Sequence, residues 1–143
     1  MNVKVLIITV IVLILAWDGL VLLFGIKQTP PWALKSALHS ETPPLLIDVR
    51  TPQEFRAFHI PGAINVPAPA LPPQPILDQM RTRHAVIICM TGHRSPIMAW
   101  RLKRHGAANA SNLTWGMAGW LLSGGKTASG EGHEGVKQSG TKK

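Results

Sequence analysis

The sequence predicts a small α/β domain with a mainly parallel sheet, preceded by one transmembrane helix. Three observations predict it: an apolar run near the N-terminus, short β-branched strands alternating with helices after it, and a length of 143 residues, enough for about one ordinary domain beside the run.

The apolar run extends over 22 residues, Val5 to Ile26, interrupted only by Thr9, Asp18, Gly19 and Gly25. As a helix it spans roughly 33 Å, which matches the ~30 Å hydrocarbon core of a bilayer. The competing reading is a cleaved signal peptide, with Lys4 before the run and Ala16 at the cleavage position. Against it, no small-x-small site is present and the apolar run resumes from Leu20 to Phe24. Asp18 costs on the order of 2.5–3.5 kcal/mol at mid-bilayer, but it lies past the midpoint, where it reaches the interface or pairs with another helix. Lys4 precedes the span while Lys27 and Lys35 follow it, a slight bias toward a single-pass inner-membrane protein with a cytoplasmic C-terminal domain. The expected division is residues 1–26 as anchor, 27–122 as the α/β domain and 123–143 as a basic tail.

After the anchor, residues 30–40 form a short amphipathic helix with a proline pair at its start and Trp32, Leu34, Ala37 and Leu38 available for one face. Leu45 to Val49 is a short apolar run after Pro43-Pro44, as a buried parallel strand requires. Thr51 then caps a helix, with Pro52 at its first position and Glu54 placed to close a capping box. Pro61-Gly62 marks a turn before a second strand over 63–66, and a proline-rich loop over 67–75 leads to a helix over 76–83. Ala85 to Ile88 is uninterrupted and mostly β-branched, a buried strand that ends at Cys89. Ser95-Pro96 repeats the cap-plus-proline signature and opens a helix that runs to about His105 and stops at Gly106. A last strand is expected over 107–113 and a last helical turn or two over 118–122. From Ser123 on the residues are mostly Gly, Ser, Lys, Glu and Thr, with almost nothing to bury, so the tail is expected to be disordered.

Composition removes several classes of function. One Cys excludes an intramolecular disulfide framework and a four-Cys zinc site. The net charge of +8 divides as zero before residue 27, +6 over 27–122 and +2 beyond. Arg101, Lys103 and Arg104 cluster on one helix, but no aromatic interleaving or nucleic-acid module accompanies them. They read as a solvated helix face, which argues against a nucleic-acid partner.

The segment that carries chemistry is Cys89-Met90-Thr91-Gly92-His93-Arg94-Ser95-Pro96, joining the end of a buried strand to the start of a helix. In an open α/β sheet ligands bind there. A helix N-terminus offers unpaired N–H groups and its positive dipole end, a loop with a central Gly turns further N–H groups inward, and Arg94 adds a cation. Each favours thiolate over thiol at Cys89, which is expected at the mouth of this cradle. The bland alternative is a cysteine that packs at the end of a core strand.

These residues resemble a known family. Asp48-Val49-Arg50, Glu54-Phe55, His59-Ile60-Pro61-Gly62-Ala63-Ile64-Asn65-Val66-Pro67, the Cys89-x-x-Gly92-x-Arg94-Ser95 loop and the segment from Leu113 to Trp120 are similar, in order and spacing over roughly residues 30–122, to the single-domain rhodanese (thiosulfate sulfurtransferase-like) family. The resemblance implies an α/β/α rhodanese fold and sulfane sulfur transfer. It gives Cys89 the role of nucleophile that takes a sulfur from a small donor anion such as thiosulfate, forms a persulfide and yields the sulfur to a thiol or cyanide. Met90, Thr91, Gly92, His93 and Arg94 then surround the anion, and Asp48, Arg50, His59 and Ser95 support the site. Arg94 either orients the donor or pairs with a carboxylate, and His93 either helps hold the anion or faces solvent. No cofactor is implied, and no second ligand stands at metal spacing from His59. Cysteine phosphatases and arsenate reductases look similar, but phosphatases place one more residue between Cys and Arg, and the smaller ring here suits a sulfur atom better than a tetrahedral oxyanion. A rhodanese-like module that binds a partner or carries sulfur without turnover is the alternative function. Two positions depart from the family pattern: Phe58 and Trp115 stand where glycine is common, and either ring narrows the pocket or walls it. Packing is the simpler account of Trp115 and Trp120.

Overall fold

The computed structural model describes residues 2–132. Helix α1 (Val3–Leu23) is followed by β1 (Lys27–Thr29), α2 (Pro31–Ala37), β2 (Leu45–Asp48), α3 (Pro52–Ala57), β3 (Ile64–Asn65), α4 (Gln74–Thr82), β4 (Ala85–Ile88), α5 (Arg94–Arg104), β5 (Ala110–Leu113) and α6 (Gly116–Leu122). The strands form one sheet in the order β1-β5-β4-β2-β3, and every pairing is parallel.

The sheet is parallel because a helix or crossover separates each pair of neighbours, and its central strands are buried on both faces. Alternate residues of β2 and β4 enter opposite cores. Leu45, Ile47, Ala85 and Ile87 pack with Ile76 and Met80 of α4 and with Met98, Ala99 and Leu102 of α5. Leu46, Val86 and Ile88 pack on the other side with Leu34 of α2, Phe55 of α3 and Met117 and Trp120 of α6. The result is the expected α/β/α layering.

Helix α1 is 21 residues long, with a mean hydropathy of 2.8 over its most apolar window. Nearly all its side chains are exposed; Val21 is buried and Trp17 packs against the edge of the first core. Length and composition suit an anchor or a signal sequence equally. Only Phe24, Gly25 and Ile26 separate α1 from the sheet, and Gly25 makes the turn at φ 66°.

The structure corrects the sequence reading in five places. Lys27–Thr29 is an edge strand that the amphipathicity of 30–40 did not reveal; three polar residues carry no strand pattern, and they pair because β5 offers a free edge. Several elements shift by a few residues: α2 ends at Ala37, α4 begins at Gln74, β5 begins at Ala110 and α6 begins at Gly116. Ser95 is not a helix cap; α5 starts at Arg94 after His93, with no side-chain cap bond. Cys89 does not stand at an open mouth but is fully buried. Finally, residues 123–132 of the tail lie against the domain. Lys126 O accepts the Trp120 indole N–H at 2.9 Å, Ala128 exchanges two 2.9 Å backbone bonds with His59, and Gly130 donates to Arg56 O at 2.8 Å. These contacts use backbone atoms, so composition gives no sign of them. The rest of the expected tail, residues 133–143, lies outside the described residues.

Candidate active site

Strand β4 ends at Ile88, and the chain turns through Cys89 to His93 before α5 begins. The side chain of Cys89 lies on the α4/α5 side of the sheet, buried with Ile87, Met98 and Ala99. Its Sγ accepts from the Gly92 amide at 3.1 Å and lies within hydrogen-bonding distance of the Ser95 hydroxyl, 3.2 Å away. Gly92 reaches back because its φ is 83°, a left-handed conformation that a β-carbon resists. Among the described residues it is the one backbone amide that bonds the sulfur, so the cradle has fewer amide donors than the loop sequence implied. The second donor is the hydroxyl that the sequence reading had spent on capping. At the second position of α5 it turns inward to Cys89 and to Asn112 Oδ1.

The start of α6 fastens the loop from outside. Met117 N–H donates to Cys89 O at 2.8 Å and Ala118 N–H to Met90 O at 2.9 Å. Such close approach leaves no room at Gly116, where a Cβ would overlap the Cys89 carbonyl. A Cβ at Gly92 would meet Trp115 N at 3.0 Å. Trp115 itself stands at φ 57°, left-handed, with its ring exposed. The ring therefore stands outside the core, and the indole that packs is Trp120.

Arg94 is paired with a carboxylate. Its guanidinium meets Glu54 Oε1 at 3.0 Å. Glu54 also accepts from Thr51 N–H at 2.8 Å and from the Thr51 hydroxyl at 2.9 Å, closing the capping box of α3. The hydrogen bond from Arg94, with further bonds from Thr51, holds the Glu54 carboxyl down at about 2, against the opposing effect of burial. Glu54 in turn raises Arg94. Of the two roles weighed for Arg94, pairing with a carboxylate is the one this structure contains.

His93 is exposed, with Nδ1 3.0 Å from the Thr91 hydroxyl and its ring centroid 5.8 Å from that of Trp17 in α1. Thr91 is exposed, and Met90 is half-buried against the opposite core, with Ile88 and Met117, rather than over the cysteine.

Asp48 and Arg50 form a fully buried pair. Arg50 Nη2 donates to Asp48 Oδ2 at 2.7 Å and to Phe58 O at 2.6 Å, while Nη1 donates to Glu54 O at 3.3 Å. The guanidinium carbon lies 5.0 Å from the Phe58 ring centroid. Arg50 thus ties the end of β2 to the end of α3, and Phe58 stacks on it. His59 bonds Phe55 O at 2.8 Å through Nδ1 and stacks on the Phe55 ring at 3.9 Å. Among the described residues, no group of three or more His, Cys, Asp or Glu side chains is arranged to hold a metal.

Sequence reasoning missed Asn112, Gln28 and the identity of the carboxylate that pairs with Arg94, Glu54. Asn112 is nearly fully buried in β5, and its amide donates to Gln28 Oε1 at 2.8 Å. The signal was present: Ser111-Asn112 places two polar residues inside a strand whose neighbours are apolar, and buried polar groups need partners.

The chain is similar to several known proteins. A protein named Sulfurtransferase from Allochromatium vinosum is 32% identical over 80 residues, covering 56% of this chain and 74% of that one. The Thiosulfate:glutathione sulfurtransferase of Saccharomyces cerevisiae is 29% identical over 93 residues, covering 57% of this chain and 67% of that one. The crystal structure of a Rhodanese-like Domain Protein from Staphylococcus aureus superposes with a TM-score of 0.56 at 28% identity, covering 66% of this chain and 91% of that one. Against three further curated relatives the chain spans 21%, 47% and 59% of their length. The Rhodanese-like domain family matches residues 31–123, nearly the whole α/β unit, and the chain belongs to that family.

Proposed function

We propose that the chain is a membrane-anchored sulfurtransferase that moves a sulfane sulfur from a small anionic donor such as thiosulfate to a thiol or cyanide through a persulfide on Cys89. The observation that carries this reading is the pair of donors on Sγ, Gly92 N–H at 3.1 Å and Ser95 Oγ at 3.2 Å. Both favour an anionic sulfur at the end of a parallel strand.

In the first step the Cys89 thiolate attacks the outer sulfur of thiosulfate. A new S–S bond forms, the bond from that sulfur to the sulfonate breaks, and sulfite leaves with the electron pair. The persulfide then carries the negative charge. In the second step the acceptor attacks the outer sulfur; its bond to Cys89 breaks and the thiolate returns. No net oxidation occurs over the cycle, and no cofactor is called for. Gly92 and Ser95 hold the sulfur in place, while Asp48, Arg50 and His59 brace the elements around it. Met90, Thr91 and His93 line the approach. Arg94 meets the donor by exchanging the Glu54 carboxylate for it, since the pair is surface-accessible and such pairs are worth ~0.2–1 kcal/mol.

For the anchor, support comes from the length, hydropathy and exposure of α1 and from the three-residue connection to the sheet. Placement in the inner membrane with the domain in the cytoplasm rests on Lys27 and Lys35 beyond the helix. A C-terminal reporter fusion that is active only outside the cytoplasm would reverse that orientation.

The burial of Cys89 favours a second reading, a sulfur carrier or partner-binding module without independent turnover. Purified full-length chain in detergent separates the two. Steady release of thiocyanate from thiosulfate and cyanide, abolished by Cys89→Ser, supports the enzyme; a single stoichiometric release supports the carrier.

A further inference from the structure

Behind Cys89, Ser95 opens a chain of polar side chains whose further members, Asn112, Gln28 and Thr114, the sulfur-transfer steps leave unused. Ser95 Oγ stands 3.2 Å from Sγ and hydrogen-bonds Asn112 Oδ1. Asn112 Nδ2 donates to Gln28 Oε1 at 2.8 Å, and the Thr114 hydroxyl reaches the same oxygen at 3.5 Å. Ser95 and Asn112 are buried, and Gln28 is half-buried on the edge strand β1.

A serine hydroxyl has one proton and two neighbours here that can accept it. With Asn112 oriented by Gln28, its oxygen competes with the sulfur for that proton. When Cys89 is a thiol, S–H donates to Ser95 Oγ and Ser95 donates to Asn112 Oδ1, so all three groups are satisfied. When the thiol proton has left to solvent, Sγ is acceptor-only. Ser95 must then turn to it and leave Asn112 Oδ1 without that partner, a cost in a buried site.

We propose that Asn112 and Gln28 are positioning residues that set the direction of the Ser95 proton, and through it the balance between thiol and thiolate at Cys89. Gln28 fixes the Asn112 amide with its oxygen toward Ser95. Asn112 holds the serine proton while Cys89 is a thiol and yields it when an anion forms. The relay rests on the reading of Cys89 as the reactive sulfur. It also ties reactivity to β1, the strand joined to α1 by three residues.

The test is the pH profile of Cys89 alkylation by iodoacetamide, measured on the full chain in detergent without any sulfur donor. Asn112→Leu removes the competing acceptor, and the midpoint of the profile moves to lower pH by roughly half to one unit. Asn112→Asp keeps an acceptor and adds a negative charge, and the midpoint moves to higher pH. Gln28→Leu frees the Asn112 amide to turn its N–H₂ toward Ser95, which leaves the serine proton for the sulfur; the midpoint again moves down. This variant, on a half-buried edge strand, carries the test should Asn112→Leu fail to fold. In a Ser95→Ala background the downward shifts disappear. Unmoved profiles in folded variants, upward shifts with Asn112→Leu or Gln28→Leu, or downward shifts that survive Ser95→Ala would overturn the relay. Variants that show these shifts in a parent chain that transfers no sulfur would overturn the proposed function and leave the relay standing.

Discussion

The guanidinium of Arg94, the cation of the Cys89 loop, lies 3.0 Å from Glu54 Oε1, on helix α3, which precedes the loop by two strands. The contact couples the capping of α3 to the charge available at the site. Glu54→Gln keeps the capping box, because Gln serves that position, and releases Arg94. The KM for thiosulfate is expected to fall by about two- to fivefold with kcat little changed, the range a half-exposed ion pair supplies. Steady-state kinetics over a range of thiosulfate concentrations check it; a raised KM would mean that Glu54 orients Arg94 toward the donor.

The same carboxylate sets a pH dependence. Its folded-state value of about 2 lies below the 4.5 of an ordinary glutamate, so the unfolded chain takes up the proton first as pH falls. Stability from Glu54 is therefore fully present above about pH 4.5 and is lost as pH drops toward 2. Denaturant unfolding of the parent and Glu54→Gln chains should show a difference that is constant from pH 7 to 5 and shrinks below that. A difference that grows on acidification contradicts the assignment.

Gly116 is expected to tolerate no side chain. It stands at φ 54°, and a Cβ would overlap the carbonyl of Cys89. Gly116→Ala should cost well over ~1 kcal/mol and lower activity beyond what its stability loss explains, because the clash displaces the backbone of Cys89. Trp115 gives the opposite outcome. A left-handed non-glycine residue is strained, and its exposed ring contributes little packing. Trp115→Gly should hold or raise the unfolding midpoint, with a gain of up to ~1 kcal/mol.

The Asp48–Arg50 pair is a test of buried charge. Asp48→Ala leaves the Arg50 guanidinium uncompensated and should cost about 3–5 kcal/mol. Asp48→Leu combined with Arg50→Met should cost less than the two single changes summed, since the double variant removes both charges. Equal costs would mean that the bonds of Arg50 to Phe58 O and Glu54 O, not the ion pair, hold that corner.

Much of this was legible in the sequence, and particular residues explain what was not. Ala85 to Ile88 announced a buried strand because every residue is apolar, and the strand end placed Cys89 at a helix start. Thr51, Pro52 and Glu54 announced α3, and the structure contains the complete capping box. Ser95 misled because serine before proline has the same signature whether its hydroxyl caps a helix or faces inward. Lys27–Thr29 escaped because an edge strand needs only backbone partners. Ala128 escaped for the same reason: its bridge to His59 uses N–H and C=O alone. Glu54 was assigned to the cap, and nothing local indicates that a carboxylate also reaches forty residues forward to Arg94.

The central claim is that Cys89 carries the transferred sulfur. Full-length chain treated with thiosulfate, freed of excess donor and analysed intact by mass spectrometry under non-reducing conditions tests it most directly. The account predicts a gain of one sulfur atom, mapped to Cys89, reversed by cyanide with release of thiocyanate and absent in Cys89→Ser. An unmodified chain with this and other sulfane donors, in protein shown to be folded, would contradict it.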